Sequence, residues 1–329
     1  MTTLAAWWDE KVDGVPRMPV GEWIDDGFEW VDDHLGSFFD GLGQLLEDTV
    51  ISITDLLTAL EPVAMAIIFA LLAWLVRDWK LGVGTLLGMA FVISMEQWDN
   101  AMATLALIVA SAIVALVIGI PLGILAARSD GFSRVIRPVL DLMQTMPAFV
   151  WLVPVVTFFG VNEASGVVST VIFALPPGVR LTELGIRQVD AEVVEAGHAF
   201  GATPRQILGE VQVPLAMPTI MAGINQVIML ALSMAVIAGL VGAGGLGGAV
   251  TEAIGTINIG LGFEAGLSVV VLAIFLDRVT AAAGNTSPGR GRFRELLAQV
   301  GLGQRKGVPY EPSEADQEDR KEPEPAATA

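Results

Sequence analysis

Cysteine is absent from the 329 residues, which excludes a disulfide framework, thiol chemistry and thiolate metal sites. Histidine is scarce. His34 lies in an acidic N-terminal stretch and His198 in a polar loop, so no imidazole cluster exists for metal binding or acid–base work. A phosphate-binding P-loop is missing too. The glycine-rich run Gly242–Gly248, GAGGLGG, has no Lys-Ser/Thr and follows an apolar segment rather than a strand, so it is no phosphate cradle. With no convergent acid, base, nucleophile or metal set, a membrane enzyme is the weakest of the readings. Charge is also in short supply. Charged residues make up 16% of the chain and hydrophobic ones 53%, with a mean hydropathy of +0.63. A soluble domain carries about 25% charged residues, so the apolar excess calls for a lipid solvent. The opening MTTLAAWWDE lacks the basic region and apolar core of a cleaved signal peptide, which leaves targeting to the first spanning segment.

The formal net charge of −18 is unevenly placed: fourteen acids stand between Met1 and Glu61 against Lys11 and Arg17 alone. Residues 1–57 therefore form an acidic, aromatic N-terminal tail. Within it Ile24, Phe28, Val31, Leu35, Phe38, Leu42 and Leu45 alternate at spacings of four and three, one apolar helical stripe. Asp25, Asp26, Glu29, Asp32, Asp33 and Asp40 occupy the other faces. Surface helices that seek anionic lipid are usually basic, so this one is expected to pack on the protein's own rim. Gly27, Gly36, Gly41 and Gly43 argue against a continuous helix. At the other end, residues 284–329 are rich in Gly, Pro and charge and read as a disordered tail.

Crossing a hydrocarbon core takes about 20 apolar residues in a helix. Seven segments qualify: 58–76, 81–97, 101–127, 139–159, 166–185, 216–241 and 264–283. Arg77 and Lys80 follow the first, Arg128, Arg134 and Arg137 the third, Arg187 and Arg205 the fifth, and Arg290, Arg292 and Arg294 the seventh. The loops after the second, fourth and sixth carry no Lys or Arg. The positive-inside rule then puts the N-terminus outside and the C-terminus in the cytoplasm, with the loop after the fifth span on the cytoplasmic side. Trp74, Trp79 and Trp98 sit at span ends, where an aromatic belt is expected.

That cytoplasmic loop, residues 190–214, has unusually explicit turn chemistry. Asp190 can cap a first helix, with Glu192 in its first turn. Gly201 can end it. Thr203 then reads as the N-cap of a second helix, with Pro204 at its first position and Gln206 completing a capping box. Among the spans, Met143, Gln144, Thr145, Met146, Pro147 and Trp151 place polar, kinked and aromatic groups at membrane depth. Asn225 and Met229 share one face of the sixth span, and Gln226 and Ser233 an adjoining one. These residues fit a translocation path of weak contacts, or amides and hydroxyls that bond across helices. Pro147, Pro154, Pro176 and Pro177 can break helices beside a cavity or serve as packing kinks.

The loop resembles the EAA loop of permease subunits in binding-protein-dependent ABC importers. Glu195, Ala196, Gly201, Val211, Val213 and Pro214 fall on its spacing, and Gly197 replaces the second alanine. From about Trp98 to Ala282 the chain is similar to glycine betaine/proline (osmoprotectant) importer permeases. The stretches that carry this are PVLDLMQTMPAFVWLVP, VIFALPPGVRLTELGIRQV, EAGHAFGATPRQIL, PTIMAGINQVIMLALSMAVIAGLVGAGGLG and GLGFEAGLSVVVLAIFLDR. The resemblance implies an all-α polytopic fold of the type I importer kind. It implies that residues 98–283 form the permease domain, with 58–97 as two extra N-terminal spans. Glu195, Ala196, Gly201, Ala202, Thr203 and Arg205 would form the coupling loop that docks on an ATPase. The implied partners are a second permease copy, two ABC ATPase subunits that bind ATP and Mg, an extracytoplasmic substrate-binding protein and membrane lipid, with no nucleic acid. The chain itself would carry no cofactor. Glycine betaine, proline or a similar compatible solute is the expected cargo. Choline, carnitine or another small zwitterion is the alternative, and a scaffold that recruits an ATPase without moving anything is the alternative of another class.

Overall fold

A computed structural model of the chain describes residues 11–12, 15–16 and 18–284; the expected disordered tail after Gly284 and the arginines at 290, 292 and 294 lie outside the described residues. Lys11–Val12 (β1) pairs antiparallel with Val15–Pro16 (β2), and the other regular elements are helical.

The acidic stretch is one unbroken helix, α1, Val20–Thr58, of 39 residues, contrary to the expectation from its glycines. Gly21, Gly27 and Gly41 meet no atom within 4 Å where a side chain would sit. They weaken the helix by about 1 kcal/mol each against Ala without interrupting it. The stripe is also only partly right. Phe28 and Phe39 stack on Phe158, with ring centroids 5.0 and 4.7 Å away, and Leu46 and Val50 are buried. Ile24, Leu35, Phe38 and Leu45 are exposed. A seven-residue repeat drifts by about 20° per heptad around a straight α-helix, so a stripe fitted to one end leaves the contact face at the other.

A 97° bend leads into α2, Pro62–Val76, which forms a hairpin with α3, Trp79–Ser94. Asp78 caps α3 by accepting from the Leu81 N–H at 2.8 Å. These helices stand where the first two spans were expected. At 15 and 16 residues they are about 22–24 Å long, less than a full hydrocarbon core. Trp74 and Trp79 are exposed, as belt residues would be, but Trp98 is buried 6.4 Å from the ring of Phe69 and belongs to the core.

Helix α4, Trp98–Arg128, is a full-length span. The expected fourth span is sharply bent. Helix α5, Asp130–Thr145, turns through 104° into a 3-10 turn, Ala148–Trp151, and α6, Leu152–Phe159. Met146 is extended, with ψ 136°, because the residue before a proline is excluded from the helical region. Helix α7, Glu163–Arg187, runs straight through Pro176 and Pro177, both buried, so these prolines break nothing.

After a short exposed helix, α8, Ala191–Ala199, the chain enters α9, Pro204–Gln206, a π turn at Ile207–Gln212 and α10, Val213–Ala238. The glycine-rich run then turns into α11, Gly245–Thr256, whose Leu246 N–H donates to Thr104 Oγ1 of α4 at 2.8 Å. Helix α12, Ile259–Gly284, completes the described chain. Among the described residues four helical stretches, 98–128, 163–187, 204–241 and 259–282, are long and apolar enough to cross a membrane, or six if each bent pair counts as one span.

The core is the α4–α7–α10 layer. Lipid tails are as apolar as leucine, so such helices associate through close packing of small residues. At Gly123 a Cβ would stand 2.6 Å from both Val179 O and Thr182 Cβ. Only glycine permits that crossing.

Candidate functional site

The polar loop forms as its sequence dictates. Asp190 Oδ1 accepts from the Glu192 N–H at 2.9 Å and starts α8. Gly201, at φ +80°, ends it. Its N–H donates to His198 O at 2.9 Å, and the Ala202 N–H to Gly197 O at 3.1 Å, the paired bonds of a Schellman cap. Thr203 and Gln206 complete the capping box: the Gln206 N–H donates to Thr203 Oγ1 at 3.4 Å and the Thr203 N–H to Gln206 Oε1 at 2.9 Å. The second loop helix is not separate, however. It passes through the π turn into α10, so the loop's far side is the end of a span.

No residue of α8 is buried, and Phe200 is 92% exposed. Glu195, Ala196, Gly201, Thr203 and Arg205 are exposed and Ala202 half-buried. Among the described residues Glu195 and Arg205 have no hydrogen-bond or ion-pair partner. Below them Ile207 is buried, and a methyl on Gly197 would meet its Cγ1 at an ordinary 3.4 Å. The site thus presents an apolar tip and two free charges of opposite sign on a capped, rigid turn.

Directly behind the loop is a charge cluster that sequence reasoning missed. Glu183, 5% exposed, accepts from Ser133 Oγ at 2.7 Å, Arg137 Nη2 at 3.0 Å and Arg187 Nε at 2.9 Å. Arg187 also donates to Ala126 O at 2.8 Å and pairs with Asp130 at 2.8 Å. Arg180 pairs with Asp141. The cluster ties the end of α4 and the face of α5 to the last turn of α7, from which the loop departs. One signal was available, an acid inside an apolar segment, which is costly there and points to function.

The expected path residues do not form one lining. Met143 and Trp151 meet across the α5–α6 corner, where Trp151 Nε1 donates to Met143 O at 3.3 Å. Gln144 and Pro147 are exposed on that corner, with Met146 half-buried. Asn225 points at α12: its Nδ2 donates to Asp277 Oδ1 at 3.4 Å, and Thr280 Oγ1 donates to its Oδ1 at 2.5 Å. Asn225 is therefore a link between helices. Met229 packs against the core. Gln226 and Ser233 are exposed on α10, Ser233 Oγ bonding back to Met229 O at 3.1 Å. Among the described residues no hydrogen bond joins the corner group to the α10 group, and no cluster of His, Asp and Glu could hold a metal.

Comparison with known proteins gives a consistent result. A family model, the binding-protein-dependent transport system inner membrane component, matches residues 119–284. The chain is 47% identical to the glycine betaine/proline betaine transport system permease protein of Escherichia coli K12, over 84% of this chain and 78% of that one. It is 46% identical to the glycine betaine transport system permease protein of Bacillus subtilis 168, over 82% and 95%. Among solved structures, the MetNI methionine ABC transporter in an inward-facing conformation aligns with a TM-score of 0.54 at 22% identity, covering 57% of this chain and 94% of that chain; that likeness concerns the fold.

Proposed function

The chain belongs to the inner membrane components of binding-protein-dependent transport systems, and from this premise we propose that it is the permease of an ATP-driven importer of glycine betaine and related compatible solutes. The observation that carries the substrate class is the 46–47% identity to two permeases named for glycine betaine, sustained over more than four-fifths of the chain. As a transport permease it is not an enzyme, and ATP hydrolysis falls to a separate subunit.

In this reading the exposed loop at 190–206 is the docking surface for the ATPase. Phe200 supplies the buried anchor of the contact, and Glu195 and Arg205 its polar rim. A docking element must pass motion on rather than absorb it. The caps at Asp190, Gly201 and Thr203 stiffen the loop itself. The Glu183 cluster couples it to α4 and α5, and the unbroken run from Thr203 into α10 couples it to a second span. Movement of the loop would therefore reach two spans at once. The assembly proposed is two copies of this chain, two ATPase subunits and an external binding protein. With α2 and α3 counted as two short crossings and the bent α5–α6 pair as one, the described chain crosses seven times; with its basic loops in the cytoplasm, the N-terminus is outside and the C-terminus inside.

Competition tests the cargo. Uptake of radiolabelled glycine betaine by the reconstituted complex should fall when unlabelled glycine betaine or proline betaine is added in excess. Stronger inhibition by carnitine or choline would move the substrate assignment to those solutes.

A further inference from the structure

A pocket of about 400 Å³ lies where the turn of the α2–α3 hairpin meets α12, and nothing in the proposed transport cycle uses it. Its rim is cationic. Arg77, Lys80 and Arg278 line it against one acid, Asp78. The Asp78 carboxylate is already engaged as the cap of α3, accepting from Leu81 N–H. Arg77 reaches it only at 3.7 Å, and Arg278 reaches Asp277 only at 3.8 Å. Lys80 has no ion-pair partner among the described residues. Two of the three cations thus have only loose acidic partners and the third has none, which leaves the rim one positive charge in excess and attractive to an anion.

The deeper wall has the opposite character. Gly84 and Gly88 stand one turn apart on α3 and line the pocket with Val271, Ile274 and Phe275 of α12; at Gly88 the two helices are already close, since a Cβ there would stand 3.0 Å from Val271 Cγ1. No atom lies within 4 Å of where a Cβ of Gly84 would be, so the helix face is cut back into an apolar slot. Trp74 and Trp79, both more than half exposed, lie within three residues of Arg77 and Lys80 in the chain, and tryptophan gathers at the headgroup level of a bilayer. A basic mouth at headgroup depth that continues into an apolar slot matches an amphiphile with an anionic head. A free anion would leave the slot empty, and an apolar helix would leave the cations unpaired. Basic pockets between helices at a membrane interface are a recurrent form of lipid recognition.

We propose that this pocket binds one anionic phospholipid, with its phosphate held among Arg77, Lys80 and Arg278 and an acyl chain entering the slot at Gly84. The test is native mass spectrometry of the full chain released from detergent micelles. The probes are dioleoyl phosphatidylglycerol and dioleoyl phosphatidylcholine, each titrated alone and with inorganic phosphate as competitor. The expected result is one retained phosphatidylglycerol at concentrations at least tenfold below those needed for phosphatidylcholine, with millimolar phosphate unable to displace it. Lys80→Gln with Arg278→Gln should weaken phosphatidylglycerol roughly fivefold per cation removed and leave phosphatidylcholine unchanged. Gly84→Leu, which fills the slot and keeps the cations, should expel the lipid. Equal retention of the two lipids by the wild-type chain, a comparison that needs no variant, would overturn the proposal. So would an unchanged preference in the double variant. Displacement by phosphate, together with indifference to Gly84→Leu, would identify a small-anion site instead.

Discussion

Replacing Gly201 should uncouple transport in proportion to how badly the new residue tolerates one backbone angle. The residue sits at φ +80°, and no atom lies within 4 Å of where a Cβ would be, so Gly201→Ala introduces no clash. Its cost is the left-handed conformation alone, about 1 kcal/mol. Gly201→Pro cannot reach that angle at all and also removes the N–H that donates to His198 O at 2.9 Å, for a cost of about 3 kcal/mol or more. Helix α8 has nine residues and none buried. A helix that short has no stability of its own in water, so the local ordering equilibrium absorbs the whole penalty. The ordered-to-disordered ratio of the loop should fall about fivefold with Ala and more than about a hundredfold with Pro. Asn, which visits the left-handed region readily, should fall near wild type. The assay is the initial rate of ATP-dependent solute uptake at fixed amounts of chain and ATPase, with membrane insertion measured alongside. Insertion should stay constant while uptake falls in the order Gly, Asn, Ala, Pro. Normal uptake with Gly201→Pro would refute the coupling role, and equal damage from Ala and Pro would refute the backbone argument.

Glu195→Ala is expected to weaken ATPase binding and transport together without changing thermal stability, since the side chain has no partner among the described residues; unchanged binding and uptake would remove Glu195 from the docking surface. Glu183→Gln keeps the shape but loses the charge that Arg137 and Arg187 address. Arg137 is half-exposed, so the loss should fall toward the low end of about 1.5–3 kcal/mol, read as a lower melting temperature of the detergent-solubilised chain. Asn225→Leu strips Asp277 and Thr280 of their α10 partner and should cost about 1 kcal/mol of stability; a transport defect at unchanged stability would instead make Asn225 a path residue. Gly197→Ala should be tolerated or mildly stabilising, by up to about 1 kcal/mol, with a fall in melting temperature counting against the described seat of Ile207.

What could be read in advance was local. Asp190, Gly201, Thr203, Pro204 and Gln206 each act within four residues of themselves, so the caps of the loop follow from chain order alone. The Glu183 cluster could not be found that way. Its partners Arg137 and Ser133 lie 46 and 50 positions away and meet it only once α5 has packed on α7. Helix continuity failed in both directions for one reason: context outweighed propensity. Five glycines did not break α1, and Pro176 and Pro177 did not break α7, where neighbouring helices hold the segment. Pro147, one of the prolines read as a possible helix breaker, did turn the chain, forming the α5–α6 corner. The apolar segments were recognisable as membrane-seeking, but hydropathy does not encode the bends at residues 59–61 and 146–147. Asn225 had two readings as a sequence feature, and its bonds to Asp277 and Thr280 of α12 favour the link between helices.

The most direct test is accumulation of radiolabelled glycine betaine in proteoliposomes that hold this chain with its ATPase and binding protein, followed with ATP and with a non-hydrolysable analogue. Accumulation above the external concentration that requires hydrolysable ATP and the binding protein is the predicted result. A complex that assembles and hydrolyses ATP, yet accumulates neither glycine betaine nor any solute in a panel of small zwitterions, would contradict the account and favour a scaffold that recruits an ATPase without moving anything.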